Sequence, residues 1–266
     1  MATYRKIKIG GGIPLYTNET PMPQAVGGYA VGTTFNGVSY KDLMDGLLYP
    51  YQYPAFSSFS ISGQTNPLEC GESISGSKTF TWSTSNSSNI KSNTISIKDV
   101  TGSLTLASNL SNDGSEVINI STPIVKTSTG VTNIFRIEAL NTKDQTFAKD
   151  YVVTWYCPFY YGVGNQGLSV SQLQQLTKAV VSKSNKTYTF SPNNQVFYFA
   201  YPQSYGQLIS ILDPNNFETI SDWTLRTETF IPNPPYFKNT VNVTYYVYEF
   251  KNLTTQTNFN ITFKFS

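Results

Sequence analysis

The chain has 266 residues and a formal net charge of +2, and its longest basic run is Arg5-Lys6, which excludes an obvious nucleic-acid footprint. Charged residues make up only 13% of the sequence and aromatic residues 15%, so the polar surface must be built mainly from Ser, Thr, Asn and Gln. Because aromatic and β-branched side chains suit pleated surfaces, this composition predicts a mainly β fold.

Residues 1–31 are predicted to be an extended arm, in which short apolar pieces alternate with glycine and proline. The regular spacing of Ile7, Ile9, Ile13 and Leu15 favours an arm that pairs with a neighbouring subunit over a disordered terminus. The segment lacks the apolar centre of a signal peptide, and no apolar run approaches the roughly 20 residues that cross a bilayer. We therefore expect synthesis in a cytoplasm and no membrane partner.

A short helix is predicted to follow the arm, beginning after Ser39, whose hydroxyl can cap the first turn together with Asp42, and ending before Pro50. Its apolar face is expected to comprise Tyr40, Leu43, Met44, Leu47 and Leu48. A helix of about ten residues is not stable alone. We therefore interpret residues 1–54 as a docking segment, completed by the following domain or by another chain.

Residues 55–157 alternate apolar and polar side chains with a period of two, as in Phe80 and Trp82. About seven short strands separated by Asn, Ser and Gly turns are typical of an immunoglobulin-like β-sandwich. Cys70 and Cys157, 87 positions apart, lie at the two ends of this domain. In a chain without an export signal we expect two reduced thiols packed as small apolar groups, although a bridge between them stays conceivable.

Residues 158–266 are predicted to form a second β-sandwich domain with one short helix. The helix is expected to open at Ser169, with Gln172 in the capping-box position. The apolar face predicted for it consists of Leu173, Leu176, Ala179 and Val180. The last strand alternates apolar and polar residues up to Phe265, so we expect its removal to unfold this domain.

The sequence offers no catalytic constellation. It contains no histidine, which removes Ser-His and Cys-His activation, and two cysteines cannot complete a zinc site, so no catalytic residue, metal or cofactor is expected. Glu69 and Glu72 are expected to point to opposite faces as solvent-exposed turn carboxylates. Tyr160, Tyr161 and Trp223 could stack on a sugar if they are exposed, although packing at the domain boundary is the simpler interpretation.

The chain resembles a family of tailed-bacteriophage virion proteins of the kind found in large Bacteroidetes-infecting and crAss-like phages. The segments that carry this resemblance are Val26-Gly27-Gly28, Gly32-Thr33-Thr34-Phe35 and residues 43–51 in the arm, residues 80–86 and 95–97 in the first β-domain, and residues 199–202, 213–217, 253–255 and 263–265 in the second. The resemblance implies a non-enzymatic particle component on the capsid, the tail or a fibre.

Two hypotheses follow for the function. In the first, the protein is a virion structural protein, assembled in the host cytoplasm, whose arm docks on other capsid, tail or fibre subunits; we expect a homo-oligomer, for which a trimer is one option. In the second, it is a carbohydrate-binding module that recognises a host-surface glycan. A polysaccharide-degrading enzyme is the least favoured interpretation because no acid–base pair was found.

Overall fold

The computed structural model describes residues 15–18 and 21–266, and it is mainly β, which confirms the predicted fold class. The described residues form two α-helices and eighteen β-strands: β1 Leu15–Asn18, β2 Phe35–Ser39, α1 Tyr40–Leu48, β3 Ala55–Ile61, β4 Leu68–Glu69, β5 Ser73–Ser85, β6 Ile95–Asp99, β7 Leu104–Leu110, β8 Gly114–Val125, β9 Val131–Leu140, β10 Thr146–Tyr156, β11 Phe159–Gly164, α2 Val170–Leu173, β12 Thr177–Ala179, β13 Lys186–Phe190, β14 Val196–Pro202, β15 Leu208–Leu212, β16 Trp223–Phe230, β17 Val243–Phe250 and β18 Phe259–Phe265. Single 3₁₀ turns lie at Ser87–Asn89, Gln203–Tyr205 and Ile220–Asp222.

The N-terminal arm contains a small unit of its own, in which β1 and β2 pair antiparallel and α1 follows directly. The expected pairing of Ile7, Ile9 and Ile13 with a neighbouring subunit lies outside the described residues. The predicted cap is confirmed, because the Asp42 amide donates to the Ser39 hydroxyl at 3.0 Å. The helix ends at Leu48, just before Pro50, as the sequence indicates.

The first sandwich packs a three-stranded sheet, ordered β3-β5-β8, against a five-stranded sheet, ordered β4-β10-β9-β6-β7. In immunoglobulin-like domains the first, second and fifth strands share one sheet, and the third, sixth and seventh share the other. Here β3, β5 and β8 occupy the first set of places, and β6, β9 and β10 occupy the second. The added β4 pairs parallel with the end of β10, which brings the start and the end of the sandwich side by side.

The second sandwich packs a five-stranded sheet, ordered β12-β11-β14-β17-β16, against a three-stranded sheet, ordered β13-β18-β15. Strand β14 is buried along its whole length. Because successive side chains on a strand point to opposite faces, Phe197, Phe199 and Tyr201 pack between the two sheets. The alternate residues Val196, Tyr198 and Ala200 face the other way and belong to a core that continues into the first sandwich.

The prediction of a helix after Ser169 is only partly correct. The capping box of Ser169 and Gln172 is present, and Leu173 is buried. However, α2 ends at Leu173, and the chain then turns into β12, which contains Ala179. Pairing of β12, as the edge strand of the sheet, with β11 satisfies its backbone better than a second helical turn in a segment that contains Thr177, Val180 and Val181.

Candidate functional site

The predicted docking face of α1 is incompletely covered by the described residues of its own chain. Leu43, Met44 and Leu47 are half-buried, whereas Tyr40 and Leu48 are 59% and 61% exposed. No residue of this fully described helix is buried. Such exposure is unusual for an apolar stripe, which a helix of a globular protein normally turns towards a core.

Part of the cover comes from the arm itself, which the sequence analysis did not anticipate. The turn at Val26 to Tyr29 folds back on the end of α1, where the Gly28 amide donates to the Gly46 carbonyl at 2.7 Å. The Tyr29 hydroxyl donates to the Asp42 carbonyl at 3.0 Å, and its ring lies against Gly46. The arm itself therefore covers the inner side of the helix, whereas the sequence analysis expected this cover to come from the following domain or from another chain.

The connector between the arm and the first sandwich is anchored at its sandwich end. Asn89 donates its side-chain amide to the Gln52 carbonyl at 2.7 Å, and Asn86 donates to the Tyr53 carbonyl at 2.9 Å. The ammonium of Lys143 lies 4.1 Å from the centre of the Tyr51 ring. These contacts fix the place at which the arm leaves the sandwich.

A buried ion pair joins the two sandwiches. Glu69, on β4, is only 2% exposed, and its Oε2 accepts from Lys178 Nζ of β12 at 2.8 Å. Its Oε1 accepts from the Lys238 amide at 2.9 Å, while Lys178 also donates to the carbonyls of residues 235 and 236. Both oxygens of the carboxylate are thus hydrogen-bonded, which is the condition under which a buried charge is tolerated.

Glu72 lies beside this pair and faces the same partner segment. Its side chain forms an ion pair with Lys238 Nζ and also accepts from the Glu69 amide at 2.8 Å. Burial would raise the pKa of Glu72, but the hydrogen bonds from Lys238 and the Glu69 amide, with the positive charges nearby, outweigh it and lower the pKa.

The expectation for Glu69 and Glu72 as solvent-exposed carboxylates on opposite faces is therefore wrong. The two-residue strand β4 ends at Glu69, and the left-handed backbone at Gly71 turns the chain, so that Glu72 reaches back to the Glu69 amide. Sequence reasoning missed Lys178 and Lys238 entirely. No local signal pairs them with Glu69 and Glu72, because more than a hundred residues separate the partners.

The two cysteines meet beside the ion pairs. Both thiols are free and buried, as expected. The Cys70 amide donates to the Tyr156 carbonyl at 3.0 Å, which places Cys70 next to Cys157. The neighbouring Cys157 thiol is the main cause, and burial the second, of the rise in the pKa of the Cys70 thiol well above its ordinary value.

An open cleft of about 660 Å³ lies at the junction between the two sandwiches. Its walls come from the turn at residues 127–129 of the first sandwich and from residues 202–204, 241–244 and 246 of the second. The described residues that line it carry no charge and offer hydroxyl and amide groups, and Tyr246 and Cys157 are also among them. Such a surface suits a neutral, hydroxyl-rich ligand better than an ion.

The aromatic residues predicted for ligand contact lie elsewhere. Tyr160 is fully buried, and its hydroxyl donates to the Tyr236 carbonyl at 2.8 Å. Trp223 is 6% exposed and packs in the second core, and the half-buried Tyr161 stacks on Tyr188 with 3.8 Å between ring centres. Tyr160 and Trp223 therefore present no exposed ring to a sugar, and the simpler interpretation of packing applies to both, because Tyr160 and Trp223 belong to the buried cores.

No group of three or more Cys, Asp or Glu side chains within residues 15–18 and 21–266 is arranged to hold a metal ion. In the same part of the chain, neither helix combines the length and the apolar composition required to traverse a bilayer.

No protein-family model and no curated protein matches the chain. A solved structure of an α-L-rhamnosidase from Dictyoglumus thermophilum aligns with 78% of this chain and 27% of its own, at 10% identity. The TM-score of this alignment is 0.25, which is too low to indicate a shared fold or activity.

Proposed function

We propose that this chain is a non-enzymatic structural protein of a tailed-phage particle and that it attaches to another virion subunit through α1. The observation that carries the proposal is the exposed outer side of this helix, where Tyr40 and Leu48 are more than half exposed. Tyr49, directly after the helix, is 76% exposed. Burial of apolar side chains against a partner would stabilise the assembly by about 1.5–3 kcal/mol for each fully buried residue.

The rest of the molecule supports a mechanical role. The buried Glu69–Lys178 pair and the shared core hold the two sandwiches together, and contacts at residues 51–53 anchor the arm. A body of this kind can project from a particle or bridge two subunits. Copies of the chain are expected to associate in the assembly, as the resemblance to appendage proteins implies, and light scattering of the purified chain would give the number.

The proposal is tested by a double variant, Tyr40→Asp with Leu48→Asp, which places two charges on the exposed side of α1. Ile209→Asp is the matched control, because Ile209 is also apolar and is 62% exposed, but lies on β15. We expect the double variant to be missing from purified particles and the control to be incorporated normally. Normal incorporation of the double variant would overturn docking through this face.

The cleft favours glycan recognition as a second candidate function. Its uncharged wall of hydroxyl and amide groups, which includes Tyr246, could hydrogen-bond to a sugar and stack on it. Gln203 and Asn242 are exposed there, so Gln203→Ala with Asn242→Ala should abolish any signal on a glycan array without affecting the fold. An array that stays silent with the unmodified chain would exclude this candidate for the glycans present.

A further inference from the structure

Cys70 and Cys157 occupy neighbouring places in a parallel strand pair. Trp155 pairs with Leu68 and Tyr156 with Glu69, so the next step of the same register places Cys157 beside Cys70. Strands in a sheet lie about 4.8 Å apart, which is within the separation of about 4.4–6.8 Å between Cα atoms that a disulfide needs.

Both thiols are buried, but they differ in their position relative to the cleft. Cys157 lines the cleft at the domain junction, whereas Cys70 does not contribute to its wall. The thiol of Cys157 is covered by the turn at residues 127–129, where it lies 3.9 Å from the Thr127 carbonyl oxygen. A small reagent in the cleft therefore reaches Cys157 first, once that turn is displaced.

We propose that Cys70 and Cys157 are a modification site. Small neutral disulfides that enter through the cleft oxidise the two thiols, and the product is a Cys70–Cys157 disulfide. The Cys157 thiolate attacks one sulfur of the reagent RSSR, forms a mixed disulfide and releases one thiolate, RS⁻. The Cys70 thiolate then attacks the Cys157 sulfur and expels the second RS⁻. The protein thiols lose two protons and two electrons in total, and the reagent is reduced to two RSH.

The bridge would act as a staple at the junction. It would tie β4 to the end of β10, next to Glu69 and Glu72, which hold the second sandwich through Lys178 and Lys238. It would also close a long loop and so restrict the unfolded chain. We expect the bridged protein to unfold at a temperature about 5–10 °C higher than the reduced protein.

The test is to incubate the folded, reduced full-length protein with 2-hydroxyethyl disulfide, quench with an alkylating agent and analyse the mass and the peptides. The unmodified chain should lose both free thiols, carry no adduct and yield a peptide pair that joins positions 70 and 157. Cys70→Ser should stop at one hydroxyethylthio adduct on Cys157, whereas Cys157→Ser should remain unmodified. Protein unfolded in guanidinium chloride shows that both thiols are chemically competent.

Two results would overturn the proposal. One is a folded wild-type protein that keeps both free thiols after many hours, under conditions in which the unfolded protein reacts. The other is a wild-type product that carries adducts without a bridge. Modification of Cys157→Ser but not of Cys70→Ser would overturn the role of the cleft as the route of entry.

Discussion

Glu69 and Lys178 lie 109 positions apart in the sequence and form an ion pair of 2.8 Å across the junction of the two sandwiches. The carboxylate is almost wholly removed from solvent, and its second oxygen is occupied by the Lys238 amide. The hydrogen bonds that Glu69 accepts from Lys178 and from the Lys238 amide replace the hydrogen bonds to water that it loses on burial. The pair therefore fixes how β4 of the first sandwich meets β12 of the second.

Lys178→Met should destabilise the protein by about 3–5 kcal/mol, because it leaves the buried Glu69 carboxylate without its cation. Lys91→Met is the matched control, since Lys91 pairs with Asp144 at the surface, where both side chains are at least half exposed. The control should cost no more than about 1 kcal/mol. Denaturant unfolding measures the free energy of unfolding of both variants. Equal losses would show that the Glu69–Lys178 pair contributes no more to stability than a surface ion pair.

Gly71→Ala should loosen the junction. Gly71 has φ +89°, and an added Cβ would lie 2.2 Å from the Lys238 carbonyl oxygen, so the backbone that holds Lys238 must move. Gly63→Ala is the control, because Gly63 also has a positive φ, +67°, but no atom lies within 4 Å of the added Cβ. Strain at a left-handed position costs about 1–3 kcal/mol in either variant.

Thermal unfolding should therefore place the Tm of Gly71→Ala clearly below that of Gly63→Ala. Since the two variants share the cost of backbone strain, the difference between them reports the clash with the backbone of Lys238 and Asn239. Coinciding transitions would mean that the approach of Gly71 to the Lys238 carbonyl does not constrain the junction.

Phe263→Ala should cost about 3–5 kcal/mol, because Phe263 is fully buried on the central strand β18 and stacks on Phe199 with 4.0 Å between ring centres. The same change at Phe217, which is 68% exposed, should alter stability by no more than about 0.5 kcal/mol. Urea unfolding measures both. A loss of less than about 1 kcal/mol at Phe263 would contradict its place in the second core.

Acid should weaken the junction through Glu72. The pKa of Glu72 is lowered in the folded protein. The stability that its ionised carboxylate contributes is therefore complete above the pKa of the unfolded chain, about 4.3, and is lost as the pH falls through the lower pKa of the folded protein. Glu72→Gln should therefore be less stable than the unmodified protein at pH 7, and the difference should shrink by pH 3. Thermal unfolding at both pH values measures this change.

Glu116→Gln serves as the control, because it makes the same chemical change at an exposed position on β8. This variant should follow the unmodified protein at both pH values. A stability gap for Glu72→Gln that stays constant from pH 7 to pH 3 would contradict a role for the ionised carboxylate.

The sequence predicts the elements whose signal is local. Alternation along β18 and the cap at Ser39 were sufficient to find a core strand and a helix start, and both are confirmed. The predicted second helix failed beyond Leu173, because pairing with β11 overrode the apolar spacing at Leu176 and Ala179.

The junction could not be predicted for a different reason. Glu69 looks like a turn carboxylate until the second sandwich brings Lys178 to it, and the register that sets Cys70 beside Cys157 depends on a two-residue strand. The burial of Tyr160 and Trp223 depends on long-range packing in the same way. In a chain so rich in aromatic residues, exposure is decided by which sheets pack together, and periodicity does not show this.

Hydrogen exchange of the amides in Tyr40–Leu48 tests docking by the arm most directly, in the free protein and in the assembled particle. Because α1 is short and contains no buried residue, its amides should exchange rapidly in the free chain and at least ten times more slowly in the particle. The central strand β9, Val131–Leu140, should be protected in both and serves as the internal reference. Equal exchange of α1 in the two states would contradict the proposal that this helix is the attachment surface.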